Sequence, residues 1–113
     1  MYMTDMRIPL SQDSRLNLNG NDYIVKSIIG YGGSCLAYSA EREPSEYERG
    51  IGMPPTPAVI KEFYPLELAE NITRDGDLLC TSKSASGEFG FLKARFERAD
   101  ENCDRKRHGL RRC

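Results

Sequence analysis

The sequence contains no tryptophan, a single histidine and no long apolar run. No stretch approaches the roughly 20 apolar residues of a membrane-spanning helix, and the N-terminal MYMTDMRIPLSQDSR lacks the apolar centre of a secretory signal peptide. The cysteines, which form no C-x-x-C pair of the kind that binds zinc, are Cys35, Cys80, Cys103 and Cys113. These absences predict a cytoplasmic protein with free thiols, no membrane segment and no metal site.

The formal net charge is only −1, but the basic residues are unevenly distributed. Several lie at the C-terminal end of the chain, namely Arg105, Lys106, Arg107, Arg111 and Arg112. Basic tails can bind nucleic acid or anionic membranes, but no aromatic residues are interleaved here. We therefore expect a solvated helix end followed by a basic tail at residues 110–113, and we do not expect nucleic acid as a partner.

The chain has the length of one small domain, and its first part has the pattern of antiparallel strands. After a flexible N-terminus over residues 1–15, RLNLNGNDYIVKSIIG predicts two strands joined by a tight turn at Asn19-Gly20. The second strand runs into the glycine-rich stretch IGYGGSCLAY, and LAYSAERE returns from it as a further strand. The glycines are therefore predicted to form the tip of a hairpin.

The middle of the chain is rich in proline. Four prolines and two glycines between Pro44 and Pro57 predict an exposed loop over residues 44–57 without a regular element. The run AVIKEFY then predicts a buried strand that carries Lys61. Residues 66–86 form an expected insertion, with one helical turn in PLELAEN and a small hairpin at Asp75-Gly76.

From about residue 87 the spacing changes to that of a helix. Phe89, Leu92, Phe96, Ala99 and Cys103 recur at intervals of three and four, which places them on one face. The sequence predicts a helix over residues 87–108, with an N-cap at Ser86 and a stop at Gly109. The predicted domain, residues 16–109, is therefore an α+β fold: a twisted antiparallel sheet with one long helix packed on it.

The order of strand, glycine-rich turn, strand and strand lysine suits a sheet that binds phosphates. Amides of Gly32, Gly33 and Ser34 can donate to phosphate oxygens, and the lack of side chains lets a ligand approach. Lys61 would add a positive charge. Taken singly, these features have simpler explanations: a tight hairpin turn with a bulge for the glycines, and an outward-pointing edge-strand lysine.

At these residues the sequence resembles the N-terminal lobe of eukaryotic-type protein kinases, particularly the bacterial serine/threonine kinases. That family has G-x-G-x-x-G-x-V in its glycine-rich loop and V-A-I-K on its third strand. In GYGGSCLAY the first two glycines match, Cys35 stands at the third, and Ala37 stands at the valine. AVIK at residues 58–61 matches the strand motif, and the following EFYP is similar to bacterial members. The resemblance covers roughly residues 16–105.

The resemblance implies an ATP site, with magnesium, formed by Gly30, Gly32, Gly33, Ser34 and Lys61. The family pairs this lysine with a glutamate on the following helix. Glu97 and Glu101, one helical turn apart, are the candidates, although both also lie where they could pair with Lys93 and Arg105 in solvent.

The family's catalytic loop, H-R-D-x-x-x-x-N, and its D-F-G motif are both missing from the sequence. We therefore expect a catalytically incomplete chain: the front part of a kinase lobe, as a truncated piece, a degraded gene product or an independent remnant. The alternative is an interaction or dimerisation module that keeps the shape of the lobe without binding nucleotide. Self-association is expected through an open sheet edge or the stripe of Phe89, Leu92 and Phe96.

Overall fold

The computed structural model describes residues 5–98 and 110–112. Its main element is a five-stranded antiparallel sheet with the strand order β1-β2-β3-β4-β7. The strands are β1 Arg15–Leu18, β2 Asn21–Tyr31, β3 Cys35–Arg42, β4 Thr56–Phe63 and β7 Leu110–Arg112. A second, two-stranded sheet consists of β5 Ile72–Asp75 and β6 Leu78–Thr81. The α+β class and the antiparallel sheet are as predicted.

Both predicted tight turns are present. Asn19 and Gly20 join β1 to β2, and both have positive φ angles, 52° and 86°. Gly76 has a φ of 62° in the turn that joins β5 to β6. Glycine and asparagine tolerate this left-handed conformation, which explains why these two sequences form turns.

The loop over residues 44–57 contains a short helix, so the prediction of no regular element there was wrong. Helix α1, Glu46–Gly50, begins after Ser45, whose side chain accepts a hydrogen bond from the Glu48 amide. The Glu48 carboxylate accepts from the Ser45 amide in return, which completes a capping box. Arg42 also donates two hydrogen bonds to Glu48, and these anchor the helix to the end of β3.

One face of the main sheet carries the core. Alternation along the strands directs seven large buried side chains to this core face: Leu16, Leu18, Tyr23, Val25, Leu36, Tyr38 and Ile60. A 3₁₀ helix, Leu66–Asn71, and the β5–β6 hairpin contribute Leu68, Ala69 and Ile72 to the same cluster. The expected insertion at residues 66–86 therefore completes the core.

The N-terminal segment also packs against the core face, in contrast to the predicted flexible segment 1–15. Leu10 is buried in the core, and its amide donates to the Tyr38 hydroxyl. Arg7 is buried as well, and it reaches the glycine-rich turn. We call residues 5–10 the strap. Its contacts join residues far apart in the sequence, so no local pattern indicated them.

Helix α2, Ser86–Arg98, packs at the end of β4. The rings of Phe89 and Phe96 lie 5.3 Å from the ring of Phe63, between centroids. Ser86 is the first helical residue, not the predicted N-cap, and its hydroxyl donates to the Lys83 carbonyl. The remainder of the predicted helix, with Ala99 and Cys103, lies outside the described residues.

Two surfaces expected to drive self-association are at least partly covered. The aromatic stripe of α2 contacts Phe63, and β7 pairs with β4 along Ile60–Glu62. Residues 110–112 are therefore a strand, not the predicted tail. Within the described part of the chain, no helix is long and apolar enough to cross a membrane.

Candidate functional site

The glycine-rich turn connects β2 to β3 through Gly32, Gly33 and Ser34, and its carbonyl groups are all anchored. Arg7 Nη1 donates to the Gly32 carbonyl at 2.6 Å. The Leu66 amide donates to the Gly33 carbonyl, and the Tyr64 amide to the Ser34 carbonyl, each at 2.9 Å. We call residues 32–34 the glycine tip.

These anchors determine where two amides point. In a planar trans peptide the N–H is directed opposite to the C=O of the same unit, and the chain has no cis peptide among the described residues. Because the Gly32 and Gly33 carbonyls are held by the protein, the Gly33 and Ser34 N–H groups point away from those anchors. Neither N–H donates to an acceptor within the described residues. The Gly32 amide, predicted as a third donor, instead donates to the Cys35 carbonyl at 2.9 Å, so the glycine tip presents two adjacent free donors.

The glycines of the turn provide space rather than an unusual backbone angle. Gly30, Gly32 and Gly33 do not have positive φ. A Cβ on Gly32 would lie 3.3 Å from the Cys35 carbonyl oxygen, which is a tight contact. A Cβ on Gly33 would meet nothing within 4 Å, so the fold itself does not require a glycine at that position.

Lys61 lies on β4 in register with Ala37 of β3, and Ala37 pairs with Gly30 of β2. Alternation places Lys61 on the face opposite to the core residues Ile60 and Glu62. We call this second face the lysine face. Within β2, β3 and β4 its central row consists of Gly30, Ala37 and Lys61, and on the other side of β4 the register partner of Lys61 is Arg111 of β7. Lys61 is half-buried and forms no ion pair among the described residues.

The free amides and Lys61 are separated along the sheet. Ser34 precedes the lysine's strand partner, Ala37, by three residues, which at about 3.3 Å per residue is roughly 10 Å. A single small anion would contact one end of this arrangement, whereas linked phosphates can extend along it.

Val59 shares the lysine face and stands where the kinase motif has alanine.

The two glutamates predicted to pair with Lys61 lie at or beyond the end of the described helix α2. The backbone of Glu97 belongs to α2, but its side chain and the whole of Glu101 lie outside the described residues. The pairing of Lys61 with either glutamate stays a prediction.

A polar network in the core was missed by the sequence interpretation. Glu62, 3% exposed, accepts two hydrogen bonds from the Arg74 guanidinium, at 2.8 and 2.6 Å. The Tyr38 hydroxyl donates to Glu62 at 2.8 Å, and burial together with the Glu62 charge raises the pKa of Tyr38. Arg74 also donates to the Ile8 carbonyl of the strap. The sequence does contain a sign of this network, because strand alternation places Glu62 on the same buried face as Ile60.

A cleft of about 430 Å³ lies between the glycine tip, the end of β4 and helix α2. Its lining is mixed: apolar residues from β4 and α2 form one part, and polar side chains from the tip and the helices form the other. The lining residues include Ser34, Cys35, Phe63, Leu92 and Arg95. Among the described residues, no group of His, Cys, Asp or Glu side chains is arranged to hold a metal ion.

Comparison of the chain with protein-family models, curated proteins and solved structures gave no match.

Proposed function

We propose that this chain binds the phosphates of a nucleotide, with ATP as the ligand, and that it is the N-terminal ATP-binding lobe of a protein-kinase-like protein. The observation that carries the proposal is the combination of two outward amides, Gly33 and Ser34, with Lys61 on the neighbouring strand, which has no ion pair among the described residues. The kinase-like order of these elements in the chain supports the same ligand.

The chemistry fits a polyphosphate. Backbone N–H groups are neutral, so they can donate to phosphate oxygens without any charged protein group losing its water. A lysine ammonium on a flexible side chain adds a positive charge. The separation of roughly 10 Å along the sheet favours a chain of linked phosphates over a single one. Magnesium would accompany the nucleotide, held by its phosphate oxygens.

The proposal for these 113 residues is binding, not phosphoryl transfer. Transfer by a kinase requires the base and the magnesium ligands of the H-R-D and D-F-G motifs, and the sequence contains neither. Serine/threonine kinase activity would belong to a complete protein that carries both motifs.

Calorimetric titration of ATP with magnesium tests the proposal. We expect binding by the wild type and at least tenfold weaker binding by Lys61→Met, because the phosphates lose the positive charge of the lysine. Lys26→Met is the matched control, since Lys26 also lies on the sheet but is paired with Asp13 and Glu41. Equal affinity of all three proteins, or no binding by the wild type, would contradict the proposal.

A second candidate function is an interaction or dimerisation module, favoured by an exposed apolar patch. Tyr47, Ile51 and Met53, on and after α1, are 76%, 59% and 41% exposed. Tyr47 and Ile51 are one helical turn apart, so they share a side of the helix. Light scattering of the wild type and of Tyr47→Ser/Ile51→Ser tests this candidate. A wild-type dimer that the double substitution dissociates would support it, whereas two monomers would not.

A further inference from the structure

We propose that Arg7 is a positioning residue of the phosphate site: it holds the peptide unit between Gly32 and Gly33 so that the Gly33 amide faces the ligand. This inference rests on the proposed function for its effect on nucleotide affinity. Its effect on the glycine tip is independent of any ligand.

The guanidinium of Arg7 joins three segments of the chain. Its Nη1 donates to the Gly32 carbonyl at 2.6 Å and to the Tyr64 carbonyl at 2.8 Å. Its Nε and Nη2 donate to the Asp5 carboxylate, and the Arg7 side chain is only 1% exposed. The hydrogen bond from Arg7 lowers the pKa of Asp5, so the pair is charged at neutral pH. A planar guanidinium with several fixed donors suits such a junction better than a lysine ammonium.

The three carbonyls of the tip are not held equally. Backbone amides from residues 64 and 66 anchor the Ser34 and Gly33 carbonyls, whereas a single side chain, Arg7, anchors the Gly32 carbonyl. The peptide unit that Arg7 holds is flanked by glycine on both sides. Glycine has the widest choice of backbone angles, so this unit is the easiest in the turn to rotate.

Rotation of that unit would change the site directly. If the Gly32 carbonyl turns outward, the Gly33 N–H turns inward, and a phosphate would meet an oxygen instead of a donor. Arg7 lies with the strap on the core side of the sheet, so its pull on the carbonyl directs the Gly33 amide away from that side. Lys61 lies on the opposite face, where the phosphates are proposed to bind.

The test compares Arg7→Lys, Arg7→Met and the control Arg15→Met. Arg15 is exposed, and its substitution removes a surface charge and its ion pair with Glu43, which lies away from the glycine tip in the sequence. The first readout is the Gly33 amide signal by nuclear magnetic resonance, without ligand. We expect exchange broadening or a changed shift at Gly33 in both Arg7 variants, with no change in Arg15→Met. The second readout is ATP affinity, expected to fall about tenfold because the peptide must be reordered on binding.

The outcomes separate the two proposals. An unchanged Gly33 signal and unchanged ATP affinity in a folded Arg7→Met protein would overturn the role of Arg7. Broadening at Gly33 in a protein whose wild type fails to bind ATP would support the positioning of the tip and reject the nucleotide. If Arg7→Met does not fold, Asp5→Asn provides the same measurement, because it keeps Arg7 and removes the carboxylate that orients it. Unchanged Gly33 in Asp5→Asn and Arg7→Lys would then overturn the inference.

Discussion

The core face and the lysine face of the main sheet carry adjacent charged residues of β4, but the two residues have opposite surroundings. Glu62, on the core face, is 3% exposed and hydrogen-bonded to Arg74 and Tyr38. Lys61, on the lysine face, is half-buried beside the small residue Ala37 and has no ion pair among the described residues. One step along the strand thus separates a neutralised charge from one that has no ion pair within the part of the chain that the structure describes.

This difference shows how one strand can serve stability and binding together. A buried carboxylate needs a partner with matching geometry, because an unpaired buried charge is costly. Arg74 meets that need and also holds the strap through the Ile8 carbonyl. Lys61, by contrast, forms no ion pair within the described part of the chain. The following substitutions test this division of roles, beginning with the one expected to change stability most.

The largest effect is expected from breaking the Glu62–Arg74 pair on one side. Arg74→Met should lower the free energy of unfolding by about 3–5 kcal/mol, because Glu62 is left as an uncompensated buried charge. Urea denaturation measures this change. The double variant Glu62→Met/Arg74→Met should recover part of the loss, since no charge remains buried. A single variant as stable as the wild type would show that the pair is not the anchor of the core face.

Substitution of Lys61 should give the opposite pattern. Lys61→Met should leave the free energy of unfolding within about 0.5 kcal/mol of the wild type, because the lysine has no described ion pair to lose. The same denaturation experiment provides the comparison with Arg74→Met. A destabilisation as large as that of Arg74→Met would assign Lys61 a structural role and remove the contrast between the faces.

Gly33→Ala separates the needs of the fold from those of a ligand. Gly33 lacks a positive φ and has open space at its Cβ position, so alanine should leave stability unchanged or raise it by about 0.4–1 kcal/mol. ATP affinity should nevertheless fall severalfold, because the methyl group occupies space that the phosphates approach. Gly32→Ala is the matched comparison and should destabilise the fold through its tight contact with the Cys35 carbonyl. Undiminished ATP binding by Gly33→Ala would show that no ligand approaches the turn there.

The smallest effect concerns the Arg42–Glu48 pair at α1, a surface counterpart of Glu62–Arg74. The hydrogen bonds from Arg42 lower the pKa of Glu48 from its usual 4.5 to about 2. A carboxyl with a depressed folded-state pKa stabilises the protein above its unfolded-state pKa. The stability advantage over Glu48→Gln should therefore be full above pH 4.5 and disappear as the pH falls to about 2. An advantage that does not change with pH would show that the charge of Glu48 contributes nothing.

Local patterns in the sequence predicted much of the sheet. Asn19-Gly20 and Asp75-Gly76 correctly indicated turns, because Asn19, Gly20 and Gly76 tolerate the left-handed angles that they adopt there. Helix α1 was missed although its signal, Ser45 followed three residues later by Glu48, is a capping box that proline-rich surroundings obscured.

The remaining errors concern contacts between residues far apart in the chain. Arg74 meets Glu62 only because the β5–β6 hairpin folds back over the core, and Arg7 meets Gly32 only because the strap crosses the sheet. No spacing rule relates such partners. The glycine tip and Lys61 are predicted to form a site from their order in the chain and the kinase resemblance, whereas the two outward amides depend on carbonyl anchors that only the folded chain supplies.

The most direct measurement is an amide-resolved magnetic resonance titration of the wild type with ATP and magnesium, beside AMP. With ATP we expect large chemical-shift changes at the Gly33 and Ser34 amides and at the Lys61 ammonium. With AMP we expect smaller changes, because a single phosphate does not span the distance between the glycine tip and the lysine. Unshifted Gly33, Ser34 and Lys61 signals at saturating ATP would contradict the claim that the glycine tip and Lys61 form a phosphate site.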